Sequence, residues 1–285
     1  MWLRFLCIFC TIFILCSCEK PVISEEESEQ PEGNLTVSVF QIEQVPFARF
    51  TRGTASEACS RLNFAIYRLD GTRVKQTNQT AGDANYGTAT FQLDEGDYLL
   101  VVVGHSSNGN PTMTDINKIQ FTNTQGYTDT FLCCTSVTIG DEAVDKQVSL
   151  DRIVSLCRFV ITDEFPSNVK KMRFYYTGGS GAFDANTGLG CVKSKQDAKF
   201  DVIAGKKEFD IYTFLHEQEG NIQLTVTALD SNDNILNERE FDVPLQKNYI
   251  TWCSGAFFSG SGSLSTTITG VTINTEWAGE THISF

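Results

Sequence analysis

Three histidines, six cysteines beyond the N-terminal segment and two acidic runs are the residues of this 285-residue chain whose types could do chemistry. His105, His216 and His282 lie far apart in sequence, with no metal or triad spacing between any two. Each reads as a solvated loop or strand residue. A cysteine nucleophile needs a positioned base, and no histidine pairs with one here. Cys59, Cys133, Cys134, Cys157, Cys191 and Cys253 contain no C-x-x-C spacing, so neither a zinc site nor a thioredoxin motif is indicated. Six thiols in an oxidising compartment allow about fifteen pairings, and the spacing selects none. Cys133 and Cys134 are adjacent, so on a strand they point to opposite faces and at most one joins a given core. The run Thr177-Gly178-Gly179-Ser180-Gly181 lacks the lysine-serine pair and helix that cradle a phosphate, and reads as a flexible loop. Asp184 and Asn186, and Asp230, Asn232 and Asp233, lack calcium-loop spacing and read as turn chemistry. These residues predict neither catalysis nor a metal or cofactor.

One position does specify a reaction. Arg4 precedes an apolar run, Phe5 to Leu15, too short to span roughly 30 Å of hydrocarbon as a helix. The run ends in Leu15-Cys16-Ser17-Cys18, which resembles a bacterial lipobox. That resemblance implies cleavage between Ser17 and Cys18, with a diacylglycerol on the Cys18 thiol and often an acyl chain on the new amine. Several chains matter, because each buried CH₂ contributes about 0.8 kcal/mol and a single chain holds only reversibly. Residues 1–17 are therefore excluded from fold reasoning as a signal peptide. Residues 18–33 hold Glu25, Glu26, Glu27 and Glu29 and almost nothing apolar, so they read as a flexible tether. In Bacteroidetes lipoproteins, an acidic stretch in this place resembles a signal for export to the outer face of the outer membrane.

The formal charge is −13, and loss of Arg4 with the signal makes it −14. Such a surface repels nucleic acid, excludes it as a partner and favours solubility in an exposed place.

Period-2 alternation dominates the remainder, and no amphipathic helix stands out. Leu35 to Ile42 points Leu35, Val37 and Val39 to one face. Leu62, Phe64 and Ile66 alternate with Asn63, Ala65 and Tyr67, and Asp70-Gly71 follows as a hairpin signal. Tyr98 to Val103 is unbroken and apolar, as in a strand covered on both faces. Ile116 to Phe121 and Phe131 to Ile139 are further strands. A second series starts near Val148, runs through Leu156 to Ile161 and ends with Thr266 to Thr275. Short strands between turn signals predict two tandem β-sandwiches, 34–147 and 148–285.

In order along the chain stand the lipobox, Leu62-Asn63-Phe64-Ala65-Ile66-Tyr67 running into Asp70-Gly71, and Leu93-Asp94-Glu95-Gly96-Asp97-Tyr98. Leu150-Asp151-Arg152 and Gly255-Ala256-Phe257-Phe258 follow. Together, from Cys18 to the end, they resemble the fimbrillin superfamily of Bacteroidetes, builders of type V pili, closest to its lipoprotein anchor and minor subunits. The resemblance implies two transthyretin-like β-sandwich domains and a place in a cell-surface fimbria among other fimbrial subunits, held to the outer membrane by lipid. A host or bacterial surface ligand is a further partner it implies. In shaft subunits of that family a protease cuts after the first strand, and a C-terminal strand of the next subunit fills the groove. Here the displaced strand would carry Leu35, Val37 and Val39, with Arg49 or Arg52 as the cut. The donor would carry Val271, Ile273, Ile283 and Phe285, which can equally be the last strand of its own domain. The rival reading is a surface glycan-binding lipoprotein using Trp252, Trp277 and Tyr175-Tyr176 as an aromatic platform.

Overall fold

Alternating apolar and polar residues make strands with one face for a core and one for water, and a computed structural model of the chain is built from them. It describes residues 33–42, 45–46, 59–122, 126–259, 265–266 and 279–285. Ser17, Cys18, Arg49, Arg52, Val271, Ile273 and Trp277 lie outside these. The described residues contain no helix and form twenty-one strands. The chain is all-β, as its patterning predicts.

The first group is β1 (Leu35–Ile42), β2 (Val45–Pro46), β3 (Arg61–Arg68), β4 (Arg73–Thr80), β5 (Thr88–Phe91) and β6 (Gly96–His105). It continues with β7 (Thr112–Asp115), β8 (Lys118–Gln120), β9 (Thr130–Ile139) and β10 (Val144–Arg152). β5, β1 and β10 form one layer, and β9, β6, β3 and β4 the other. β10 passes between them. It runs parallel to β1 as far as Leu150, then pairs Asp151 and Arg152 with Leu132 and Phe131 of β9. Arg152 fixes this crossing by a two-pronged ion pair to Asp129, at 2.7 and 2.8 Å, with its guanidinium over the Phe131 ring. Between the layers lie Leu35, Val37 and Val39 of β1 against Leu62, Phe64, Leu100 and Val102. Gln147, where the sequence places the join, lies inside β10.

The second group is β11 (Ser155–Ile161), β12 (Lys171–Thr177), β13 (Ala182–Asp184), β14 (Leu189–Gly190), β15 (Gln196–Asp201) and β16 (Glu208–Thr213). Then come β17 (Glu219–Leu229), β18 (Ile235–Gln246), β19 (Tyr249–Gly255), β20 (Ser265–Thr266) and β21 (Gly279–Ser284). β16, β11, β19, β21 and β20 make one layer; β15, β12, β17 and β18 make the facing one. Phe159, Phe174, Phe209, Leu224, Val226 and Phe241 fill the space between.

A third sheet, β14–β13–β8–β7, takes strands from both groups. Ala182 and Phe183 of β13 pair with Gln120 and Ile119 of β8. Beneath it is a third core of Tyr67, Val101, Val103, Phe121, Phe183 and Phe214. β6 is thus covered on both faces, Leu100 and Val102 entering one core and Val101 and Val103 the other. Cys133 and Cys134 divide in the same way, one against each core.

The strand expected at Ile116 to Phe121 forms as the shorter β8, the second arm of a hairpin with β7, turned where Asn117 N–H donates to Asp115 Oδ1 at 2.9 Å. The glycine run at 177–181 is not a loose loop. Ideal Cβ atoms on Gly178 and Gly179 would fall 2.4 Å from the Asn221 oxygen and 2.1 Å from Thr213 Oγ1. Glycine is there because neighbouring chain comes too close for a side chain.

Candidate assembly edges

Strand addition needs unpaired backbone along an edge and pockets for alternate side chains. The two strands the sequence nominates for exchange, β1 and β21, occupy different kinds of place.

β1 is paired on both sides. β10 runs parallel to it from Leu35↔Val144 to Ile42↔Leu150, and β5 runs antiparallel from Leu35↔Phe91 to Ser38↔Thr88. Leu35 and Val37 are fully buried and Val39 nearly so. Asn34 pins the strand's start, its amide donating to Leu93 O at 2.8 Å and its Oδ1 accepting from Leu93 N–H at 3.0 Å. A bulge between Val39 and Gln41 turns Phe40 out to solvent. Withdrawing β1 would uncover side chains of which each contributes roughly 1.5–3 kcal/mol.

β21 lies parallel to β19, from Tyr249↔Gly279 to Ser254↔Ser284, and the two described residues of β20 pair with its far side. Ile283 is buried in the second core. Phe285 stacks on Phe159 at 4.7 Å and meets Phe241 edge-on at 4.8 Å, and its N–H donates to Ser254 O at 3.0 Å. Two glycines permit this fit: a Cβ on Gly255 would sit 2.0 Å from the Phe285 oxygen, and one on Gly279 2.3 Å from the Tyr249 ring. In this chain β21 therefore closes its own second sandwich.

The two sandwiches repeat one plan. The order β4–β3–β6–β9 answers to β15–β12–β17–β18, and β5–β1–β10 to β16–β11–β19, with the same parallel pair in each. The repeat ends at β21. Its counterpart beside β10 is absent: among the described strands none pairs with the side of Val144–Leu150 that faces away from β1. Sequence reading missed this edge, because it shows only when the two strand orders are laid side by side.

The remaining nominated residues have structural duties. His105, expected to be solvated, is fully buried. Its Nε2–H donates to Asn63 Oδ1 at 2.8 Å, and its Nδ1 accepts from Ser107 N–H at 3.0 Å. Asn63 in turn donates to Asn78 and Asn110. Burial pushes the imidazole pKa down to about 3. His216 bonds the Gly190 carbonyl, and His282 stacks on Trp252 with centroids 5.6 Å apart. The aromatic platform does not form from the described residues. Trp252 is engaged by His282, by the Arg158 guanidinium at 5.0 Å and by Glu280 through its indole N–H. Tyr176 is buried and donates to the Tyr212 carbonyl. Asp184 and Asp230 accept backbone N–H groups in their own turns, as the spacing predicts. The six described cysteines are free thiols, with the Cys157 and Cys253 sulfurs 3.7 Å apart.

A family model described as "Family of unknown function (DUF6562)" matches residues 27–284. No curated protein matches the chain. Among solved structures, a candidate adhesin from Bacteroides ovatus is similar at TM-score 0.50 and 14% identity, covering 81% of this chain and 88% of that one. This likeness fixes the fold. Weaker likenesses are a candidate polysaccharide-binding protein from Bacteroides thetaiotaomicron and the fimbrial anchor protein Mfa2 from Porphyromonas gingivalis. The first has TM-score 0.45 and 9% identity, covering 73% of this chain and 80% of that one. The second has 0.40 and 12%, covering 72% and 81%.

Proposed function

The chain belongs to that family of unknown function, and from this premise we propose that it is a structural subunit of a cell-surface fimbria, not an enzyme. Its work is to join other fimbrial subunits by β-strand complementation, from an outer-membrane anchor made by lipid on Cys18. The two sandwiches act as domains linked through the shared third sheet. The observation that carries this reading is the unmatched edge of β10. The second sandwich is completed by a terminal strand laid parallel on β19, and among the described strands the first repeats the plan without one. A terminal strand from a neighbouring subunit has there the same backbone pairing that β21 makes on β19. Cleavage after Arg49 or Arg52 would offer a second acceptor place by freeing β1, whose Leu35, Val37 and Val39 leave sockets of known shape. Val271 and Ile273 would lengthen the donor that Ile283 and Phe285 end, once β21 leaves β19 of its own sandwich.

The test is assembly of the full chain and of a variant lacking Val271 to Phe285, followed by electron microscopy and denaturing gels. Donation through the C-terminus predicts polymers from the full chain and monomers from the deletion, and a free peptide of those residues, filling the acceptor edge without linking subunits, should block polymerisation of the full chain. Equal polymerisation of both chains would sink this account. Mass spectrometry of the protein from its native membrane reports the lipid: diacylglycerol on Cys18 supports the anchor, and an unmodified Cys18 removes it.

A further inference from the structure

Beside the third sheet runs a groove that strand exchange does not use. Its volume is 430 Å³, and its lining includes Gln120, Phe121, Tyr127, Ser194 and Gln196. A second hollow of 350 Å³ shares Ser194 and Lys195 with it and extends it past His216. Three polar groups converge over Gly181. A Cβ there would lie 2.7 Å from the Tyr127 oxygen, 3.1 Å from Gln196 Nε2 and 3.2 Å from Ser194 Oγ. Gln196 spends an amide N–H on Ser194 Oγ at 2.7 Å. Tyr127 is 6% exposed and Gln196 2%, yet the Tyr127 hydroxyl and Gln196 Oε1 have no hydrogen-bond partner. The Gln196 amide is near enough to favour the Tyr127 phenolate, but no well-formed bond joins the two.

Leaving such atoms buried and unpaired costs about 1–3 kcal/mol each. Native chains tolerate this where something else completes the pairing. What completes it must accept from one atom and donate to the other. A single hydroxyl group does both. An anion would meet the Gln196 oxygen with like charge, and a cation would leave the Tyr127 proton unused. Burial pushes the Tyr127 pKa up to about 12, so the phenol keeps its proton and remains a donor. One water would satisfy the pair, but water takes roughly 30 Å³ and the groove is many times larger. Gln120 and Ser194 offer further polar groups along it, and the Phe121 ring supplies an apolar wall.

The geometry points to a binding subsite for a neutral saccharide in this groove, with Tyr127 and Gln196 holding one sugar hydroxyl between them and Gln120 meeting its neighbour. The site is separate from both exchange strands and stands or falls independently of subunit assembly.

The full chain is titrated with glucose, galactose, mannose and N-acetylglucosamine, with sulfate as the anionic control, and followed by saturation-transfer NMR and calorimetry. The expected result is saturable binding of at least one sugar and none of sulfate. Tyr127→Phe weakens it tenfold or more while melting no lower than the parent, because the lost hydroxyl had no internal partner. Should Tyr127→Phe fail to fold, Gln120→Ala decides, since that side chain is exposed at the groove and weakening is again required. Absence of binding by all four sugars, binding of sulfate in their place, or unchanged affinity in the variant overturns the assignment.

Discussion

His105 shows how much of the chemistry in this chain is spent on holding strands. Its two ring nitrogens are committed as one donor and one acceptor, so the neutral form alone fits between Asn63 and Ser107. Protonation would set an N–H against the Ser107 N–H and place a charge against Phe121 of the third core. Desolvation is the main cause of the depressed pKa, and the Arg61 charge adds to it. The sign follows from linkage. The folded value, about 3, lies below the ordinary 6.5. The stability tied to neutral His105 is therefore whole above pH 6.5 and drains away as the pH falls toward 3. The limiting slope is about 1.4 kcal/mol per pH unit. Denaturant titrations at pH 7 and pH 5 on the parent and on His105→Gln isolate this share, since the carboxylates titrate in both. A variant that loses as much stability as the parent over this interval would rule the account out. Nothing in the local sequence marks His105 as buried. Its partner Asn63, and the Asn78 and Asn110 to which Asn63 donates, come from separate elements that only the folded sheet brings together.

Strands were legible where they were long and their period was clean. Leu35–Ile42, the Leu62–Tyr67 strand and the doubly covered Tyr98–Val103 stretch carry their burial in plain alternation or in an unbroken apolar run. The third sheet was not legible. Its strands are two to four residues long, too short for a period, and its pairing joins residues 119–120 to residues 182–183. The glycines around 178–181 were misread for the same reason, since their crowding comes from distant chain. Glycine also controls the terminal strand. At Gly255 an added methyl would fall on the Phe285 backbone oxygen, well inside contact distance. Gly255→Ala should therefore dislodge the end of β21 while leaving the β11–β19 ladder in place. Hydrogen exchange reads this directly: the Phe285 amide, bonded to Ser254 in the parent, should lose protection, and Phe159 and Cys253 amides should keep theirs. Retained protection at Phe285 would mean that β21 is held by something other than this close fit.

The chain from Glu32 to Phe285 forms one compact unit, although its strand order repeats, and the third core is what fuses the repeats. Phe214 is the residue through which the fusion can be tested. It leaves β16 of the second sandwich and is fully buried. There it stacks on Phe121 at 6.0 Å, with Phe183 at 5.0 Å and Tyr127 at 5.4 Å. Its carbonyl accepts from Ser180 N–H at 3.0 Å, which ties the glycine segment to the same point. Tandem sandwiches with a thin linker would unfold one after the other. With a shared core, opening one half exposes apolar surface on the other, so calorimetry of the parent should show one transition. Phe214→Ala removes the ring from the joint and should cost about 3–5 kcal/mol. Neither sandwich core holds Phe214 among its members, so the loss falls on the coupling, and the single transition should split into two. A parent that already melts in two resolved steps would show that the third sheet does not bind the halves. Load on a strand of one sandwich would then reach the other through packed side chains instead of a loose linker.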